Sequence, residues 1–329
     1  MSKTPSKKTR SREKPKPLKS TRAPLLWRVT KWSLVFVIWG GLALAGTIVW
    51  YAWNLPSVDA LGPSTDKGRR PGVTILASNG SLVAGYGDLY GARLTVNELP
   101  PQLVQAVVAI EDRRFFEHPG VDFRGILRAA VANLRAGGVV QGGSTLTQQL
   151  AKNLFLTPER SFDRKIRELI LALSLERRFE KDELLTTYLN RVYLGAGTYG
   201  VEAAAQRYFG ISARDIDTYQ AALLAGLLRA PSRLNPDSSE SRAHGRAHTV
   251  LQAMSDAGFL TSQEMENIAA THRPGRGEAA LPRPRVTGEA RRYFADWALE
   301  RAAGYVGSTG LDLAVETTLV PELQARAEA

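Results

Sequence analysis

The chain has 329 residues, 44% hydrophobic and 23% charged, with no cysteine and a formal net charge of +11. That length allows one sizeable domain with additions, and the absence of thiols excludes cysteine nucleophiles, disulfides and zinc–cysteine sites. Residues 1–31 hold eleven Lys or Arg against one acid, Glu13, so the positive charge belongs to a tail. A basic nucleic-acid-binding domain is excluded, and nucleic acid is not an expected partner.

Residues 1–31 read as a basic cytoplasmic tail, rich in Lys, Ser, Thr and Pro up to residue 24. From Trp32 to Val58 no residue is charged, and "SLVFVIWGGLALAGTIVWYAW" is long enough to cross a bilayer. Trp32 stands at one end and Trp50, Tyr51 and Trp53 at the other, as interfacial aromatics do. A cleaved signal peptide has a shorter apolar core and a small-residue cleavage site. Residues 32–53 are therefore predicted to be an uncleaved transmembrane helix. Its basic side stays in the cytoplasm, which places residue 54 onward on the other side of a single-pass membrane protein.

Residues 54–99 are predicted as a juxtamembrane linker with a β hairpin, "VTILASNGSLVAGYG", turning at Asn79-Gly80. From Pro100 the period becomes helical. Leu103, Val104, Val107 and Ile110 share one face behind the Pro100-Pro101 start. A second helix is predicted from about Phe123 to Arg135, with Ile126, Leu127, Ala130, Val131 and Leu134 turned inward and Gly137-Gly138 as its stop. Further helices are predicted near 144–154, 161–179, 181–193, 201–208, 213–229, 240–257 and 261–270. Residues 100–271 thus form a mainly α domain without internal repeats. Residues 272–329 open with a Pro/Gly/Arg linker, 273–286. A helix near 288–303, the strand-like "LAVETTL" and the start of another helix follow.

Three stretches carry the candidate chemistry. In "AVVAIEDRRFFEHPG" (106–120) Glu111 ends a helix, where the macrodipole is negative and Asp112 adds like charge. That setting suits a base, although a surface acid at a frayed helix end has the same sequence. Asp112 could anchor the following loop, with His118 as a satisfied loop histidine. Four histidines and no HExxH leave no zinc motif. In "GGVVQGGSTLTQQLAKN" (137–153) Ser144 is a plausible N-cap, with Thr145, Gln148, Gln149, Lys152 and Asn153 on the helix. Free N–H groups there, with a lysine beyond, suit an anion. A P-loop is excluded because Ser144 stands where its lysine is required. In "SFDRKIRELILALSLERRF" (161–179) the expected buried stripe is Ile166, Leu169, Ile170 and Leu173. Arg164 and Glu168 then fall on the opposite side, one turn apart, as in an ordinary exposed ion pair.

Taken in order, "EDRRFFEHPG", "GGSTLTQQLAKN", "RKIRE", "YLNRVYLGAGTYG" and "AALLAGLLRAPS" resemble the five motifs of the peptidoglycan glycosyltransferases, glycosyltransferase family 51. The resemblance covers about residues 100–240. It implies a lysozyme-like helical glycosyltransferase domain behind a single N-terminal transmembrane helix, anchored in a bacterial inner membrane with its catalytic domain periplasmic. It implies polymerisation of lipid II into β-1,4-linked glycan strands, with release of undecaprenyl pyrophosphate and inversion. Glu111 would be the base, and Glu168 would assist at the leaving group. A divalent cation, Mg or Mn, is an option near Glu168, and no cofactor is otherwise required. Lys152, Arg164 and Lys165 would hold pyrophosphate. Asp112, Phe115, His118, Ser144, Thr145, Gln148, Gln149 and Asn153 would shape the cleft. The implied partners are lipid II, the growing glycan chain, the membrane and cell-wall synthesis complexes.

The C-terminal "LAVETTLVPELQARAEA" resembles the segment leading into the transpeptidase domain of class A penicillin-binding proteins. Ser-x-x-Lys occurs only by chance spacing, at Ser11–Lys14 and Ser64–Lys67, and no KTG exists, so this chain carries no transpeptidase site. The expectation is the N-terminal part of a bifunctional enzyme. A lysozyme-like hydrolase acting through two carboxylates is the enzyme alternative. An inactive membrane-anchored scaffold, or an inert fragment, is the other.

Overall fold

The computed structural model describes residues 25–53, 55, 72–80, 82–87, 89–138, 140–157, 159, 161–272, 289–306 and 313–327. The predicted tail up to residue 24, most of the 54–72 linker and the 273–286 linker lie outside these residues. The chain divides into two units, residues 1–53 and 54–329.

In the first unit, helix α1 spans Leu25–Trp53. Its segment Val29–Tyr51 is long and apolar enough to cross a membrane. The helix starts seven residues before the predicted span, because helical hydrogen bonding continues through Trp27, Arg28 and Lys31.

The second unit opens with the expected hairpin. Strands β1 (Val73–Leu76) and β2 (Leu82–Tyr86) pair antiparallel, and Gly80 takes φ +78° in the turn. A third strand, β6 (Leu313–Glu316), pairs parallel with β1 across some 240 residues of sequence. Helix α12 (Glu289–Val306) packs on this sheet, and Ile75, Ala77, Val83, Ala295, Ala298 and Leu319 form its small separate core. The hairpin is therefore not an isolated ornament before the helical domain. It needs the C-terminal strand and helix to bury Ile75 and Val83, since a lone hairpin is marginal in water.

The large core belongs to the helices. Helix α8 (Thr218–Leu227) is apolar around its whole circumference and buried from Tyr219 to Leu227. Helices α2 (Pro101–Glu111) and α10 (Glu240–Asp256) pack on it and on each other. On α2, Leu103 and Val107 are buried as predicted, and Ala106, Val108 and Ala109 widen the buried face. Helix α8 starts five residues later than predicted because Asp217 caps it, in a reciprocal box with Gln220. The short α9 (Pro231–Leu234) was not expected; Pro231 at its first position favours a turn of helix.

Around this centre stand α3 (Phe123–Ala136), α4 (Leu146–Phe155), α5 (Phe162–Arg178), α6 (Lys181–Arg191), α7 (Val201–Phe209) and α11 (Ser262–Thr271). Short strands β4 (Tyr193–Gly195) and β5 (Thr198–Tyr199), which link α6 to α7, form a second sheet with β3 (Leu89–Tyr90). It gives the glycine-rich stretch "LGAGTYG" (194–200) its structure. Gly200 there has φ +82°, and a Cβ would lie 2.6 Å from the Asn190 carbonyl oxygen. Gly200→Ala is expected to lower stability by about 2–3 kcal/mol through strain and overpacking. Urea denaturation checks this, and an unchanged midpoint would refute it.

Two helices present a different face from the one predicted. On α3 only Gly125 and Ala129 are buried, whereas Ile126, Leu127, Ala130, Val131 and Leu134 look outward, Leu127 67% and Leu134 85% exposed. Periodicity fixes that a stripe exists and leaves open whether protein or another apolar phase covers it. On α5 the buried line is Glu168, Leu171, Ala172 and Leu175; Ile166 is exposed, and Leu169, Ile170 and Leu173 are partly buried. The apolar positions at i, i+3 and i+4 admit two overlapping stripes, and the one carrying the glutamate packs inward.

Candidate active site

Glu111 ends α2, and its carboxylate is partly buried. Gln149, one turn into α4, donates from Nε2 to Glu111 Oε2 at 2.8 Å. Tyr188 on α6 donates from Oη to Gln149 Oε1 at 3.1 Å. Tyr188 is fully buried; burial, and then the Glu111 charge, push its phenol well above its ordinary range. It therefore stays a hydrogen-bond donor and fixes which way the Gln149 amide points.

The neighbouring Asp112 is buried and does different work. Its carboxylate bonds His118 Nε2 at 3.0 and 3.1 Å and accepts the backbone N–H of Leu146 at 3.0 Å. Asp112 thus ties the loop after α2 to the N-terminus of α4. It engages His118 through Nε2 alone, and the buried Nδ1 has no hydrogen-bond partner among the described residues, so the histidine is not the fully satisfied loop residue expected. Phe115 is 1% exposed and belongs to the large core, so it shapes this region from beneath; Phe116 is the exposed aromatic.

The α4 N-terminus is capped by Thr145 rather than by Ser144. Thr145 accepts the Gln148 N–H, and Gln148 reaches back to the Thr145 N–H. One residue decides this, because the capping box requires Gln three positions after the cap, and only Thr145 has it. Thr145 and Gln148 are both buried, and Thr145 Oγ1 and Gln148 Oε1 each accept a backbone N–H in this box. Ser144 is left to accept from Lys165 Nζ at 2.8 Å.

Lys165 also pairs with Glu168 one turn along α5. Glu168 is 3% exposed, so the expected exposed Arg164–Glu168 pair is replaced by a Lys165 pair on a buried carboxylate. Arg164 and Lys152 are partly buried, and Asn153 is exposed on α4. Glu111 is tied to α4 through Gln149, and Glu168 is tied through Lys165 to Ser144, the residue just before the α4 cap.

Among the described residues no group of three His, Asp or Glu side chains gathers as a metal site. The Glu168 carboxylate already faces an ammonium. These residues do not fit a divalent-cation site at Glu168.

Sequence reasoning missed two arginines. Arg246 on α10 is partly buried and crosses Gly226, where a Cβ would come 2.9 Å from its Cγ. Burial and the Arg229 charge pull its guanidinium below its ordinary range, and the Glu111 charge partly offsets this. Arg246 is thus electrostatically coupled both to Arg229 and to Glu111. No local motif marks Arg246; only the packing of α10 on α8 and α2 brings it there.

A transglycosylase family model matches residues 79–255, which include every one of these side chains. Penicillin-binding protein 1A of Aquifex aeolicus is 42% identical over 228 residues, 67% of this chain and 30% of that protein. The Escherichia coli protein of the same name is 41% identical over 240 residues, 73% of this chain and 28% of its own length. A crystal structure of penicillin-binding protein 1A from Haemophilus influenzae overlaps 79% of this chain and 28% of its own, at a TM-score of 0.42 and 20% identity. The chain spans less than a third of the length of these relatives. With a family model matched over more than half of its residues, the chain belongs to the transglycosylase family.

Proposed function

We propose that the chain is a peptidoglycan glycosyltransferase that polymerises lipid II into β-1,4-linked glycan strands and releases undecaprenyl pyrophosphate. The observation that carries the reading is the pair of carboxylates tied to one stretch of chain, Glu111 through Gln149 on α4 and Glu168 through Lys165 to Ser144 just before the α4 cap. Glu111 takes the proton from the 4-hydroxyl of the acceptor lipid II. That oxygen attacks the anomeric carbon of the donor chain from the face opposite the leaving group, the carbon inverts, and the bond to pyrophosphate breaks. The pyrophosphate departs with the bonding electrons. Lys152, Arg164 and Lys165 neutralise the charge that develops there, and Glu168 holds the Lys165 ammonium in place. Arg246 brings positive potential to the base.

A hydrolase with a sugar leaving group has no use for this cationic set, which favours the transferase. The outward stripe of α3 supports a lipid-linked substrate. Leu127 and Val131 line a surface groove with Arg124, Arg128 and Arg135, an apolar strip edged by cations of the kind that rests on anionic lipid. We place α1 as a single-pass anchor in the inner membrane with its N-terminus cytoplasmic, and residues 100–271 as the periplasmic catalytic domain. Cell-wall synthesis complexes are its natural setting.

Purified full chain in detergent, supplied with lipid II, is expected to consume it and yield glycan polymer. A folded chain that binds lipid II and makes no polymer would overturn this in favour of an inactive scaffold. Release of short soluble sugars from finished glycan would favour the hydrolase.

A further inference from the structure

One buried ion pair has no part in the chemistry above. Glu176 lies on α5 about two turns beyond Glu168, and Lys181 opens α6. Lys181 Nζ meets Glu176 Oε1 at 2.7 Å, with the side chains 21% and 6% exposed. A buried pair of this kind offsets its desolvation only if further hydrogen bonds satisfy both partners. Here each further bond lands on a segment flanking Glu111. Lys181 Nζ donates to the His118 carbonyl oxygen at 2.7 Å and stands 4.4 Å over the Phe115 ring. Glu176 Oε1 accepts from Thr147 Oγ1 on α4.

Gly120 closes the same assembly. Its φ is +91°, and a Cβ there would lie 2.9 Å from Glu176 Cγ and 3.1 Å from the Ala172 carbonyl oxygen. Its own carbonyl accepts from Thr145 Oγ1 at 2.7 Å. The loop 112–120 is thus pressed against α5 and stitched to the start of α4.

We propose that Glu176 and Lys181 are positioning residues: a charged clamp that sets the register between the loop after Glu111 and the helix that carries Gln149. The clamp deepens the assignment of Glu111 as base and rests on it. An apolar pair would fill the same volume and leave the His118 carbonyl and Thr147 hydroxyl untied. The register that places Gln149 Nε2 on Glu111 would then relax.

The test uses the full chain and four variants: Lys181→Met, Lys181→Arg, Glu176→Gln and the double Lys181→Met/Glu176→Gln. Amide hydrogen exchange is read over residues 112–120, beside kcat and KM for lipid II. Lys181→Met is expected to lower kcat roughly tenfold to a hundredfold, with KM within about threefold of the parent. Exchange in 112–120 should speed up by about tenfold. Lys181→Arg should recover most of both. If Lys181→Met fails to fold, the double variant, which leaves no unpaired buried charge, carries the same two readouts. A folded variant with parental kcat overturns the proposal, whatever its exchange. So does a fall in kcat with parental exchange. A parent that makes no polymer overturns the catalytic reading instead, and exchange alone then decides whether the clamp exists.

Discussion

Glu111→Gln is expected to reduce lipid II polymerisation by about 10²–10⁴-fold in kcat, the usual contribution of a positioned general base. The amide has nearly the shape of the carboxylate and cannot take the acceptor proton. Substrate binding should change little, because the lost function acts on the reacting hydroxyl and not on the pyrophosphate or the lipid. The fold should survive, since Glu111 is only partly buried at a helix end. The bond donated by Gln149 Nε2 can be accepted by the new amide oxygen. The check is single-turnover polymerisation beside a thermal melt. Near-parental turnover from a well-folded Glu111→Gln protein would move the base elsewhere and leave family membership untouched.

Asp112→Ala is expected to cost about 2–4 kcal/mol of stability, because it strips the acceptor from a buried backbone N–H and from a buried histidine together. The argument is local. Asp112 is the one group that joins Leu146 N–H to His118, and both sit where water does not readily replace it. Activity should fall with it, because the loop after Glu111 loses one of its ties to the start of α4. Asp112→Asn keeps an acceptor and should recover part of both. Urea denaturation measures the first effect and polymerisation the second. An Asp112→Ala protein with the parental midpoint would show that this bond network carries no net stability.

These two adjacent acids show how far the sequence could be read. The motif "EDRRFFEHPG" marks both as special, and the expected helix end at Glu111 suggests a base there and a loop anchor at Asp112, without naming the partners of either. The difference arises because α2 ends between them: Glu111 is the last helical residue, and Asp112 breaks from the helix with φ −158° and ψ 77°. That break turns one carboxylate toward Gln149 and the other into the loop. Glu168 is a second case. Its helix and its lysine neighbour are visible in "RKIRE", but the stripe that packs inward is settled by α4 and α6, whose sequences lie elsewhere.

Taken alone, the sequence determined the apolar N-terminal helix, the hairpin at Asn79-Gly80, most helix positions and the motif order. Each of these depends on contacts within a few residues: hydrophobic period, caps, proline and glycine. Tertiary structure decided which face of α3 and α5 meets the core. It also decided that β6 and α12 complete the first hairpin, that Arg246 reaches the field of Glu111, and that Lys181 grips the loop above it. Those outcomes depend on burial between segments far apart in the chain. Amphipathic periodicity fixes that a face exists, and only the neighbours that arrive by folding fix what covers it.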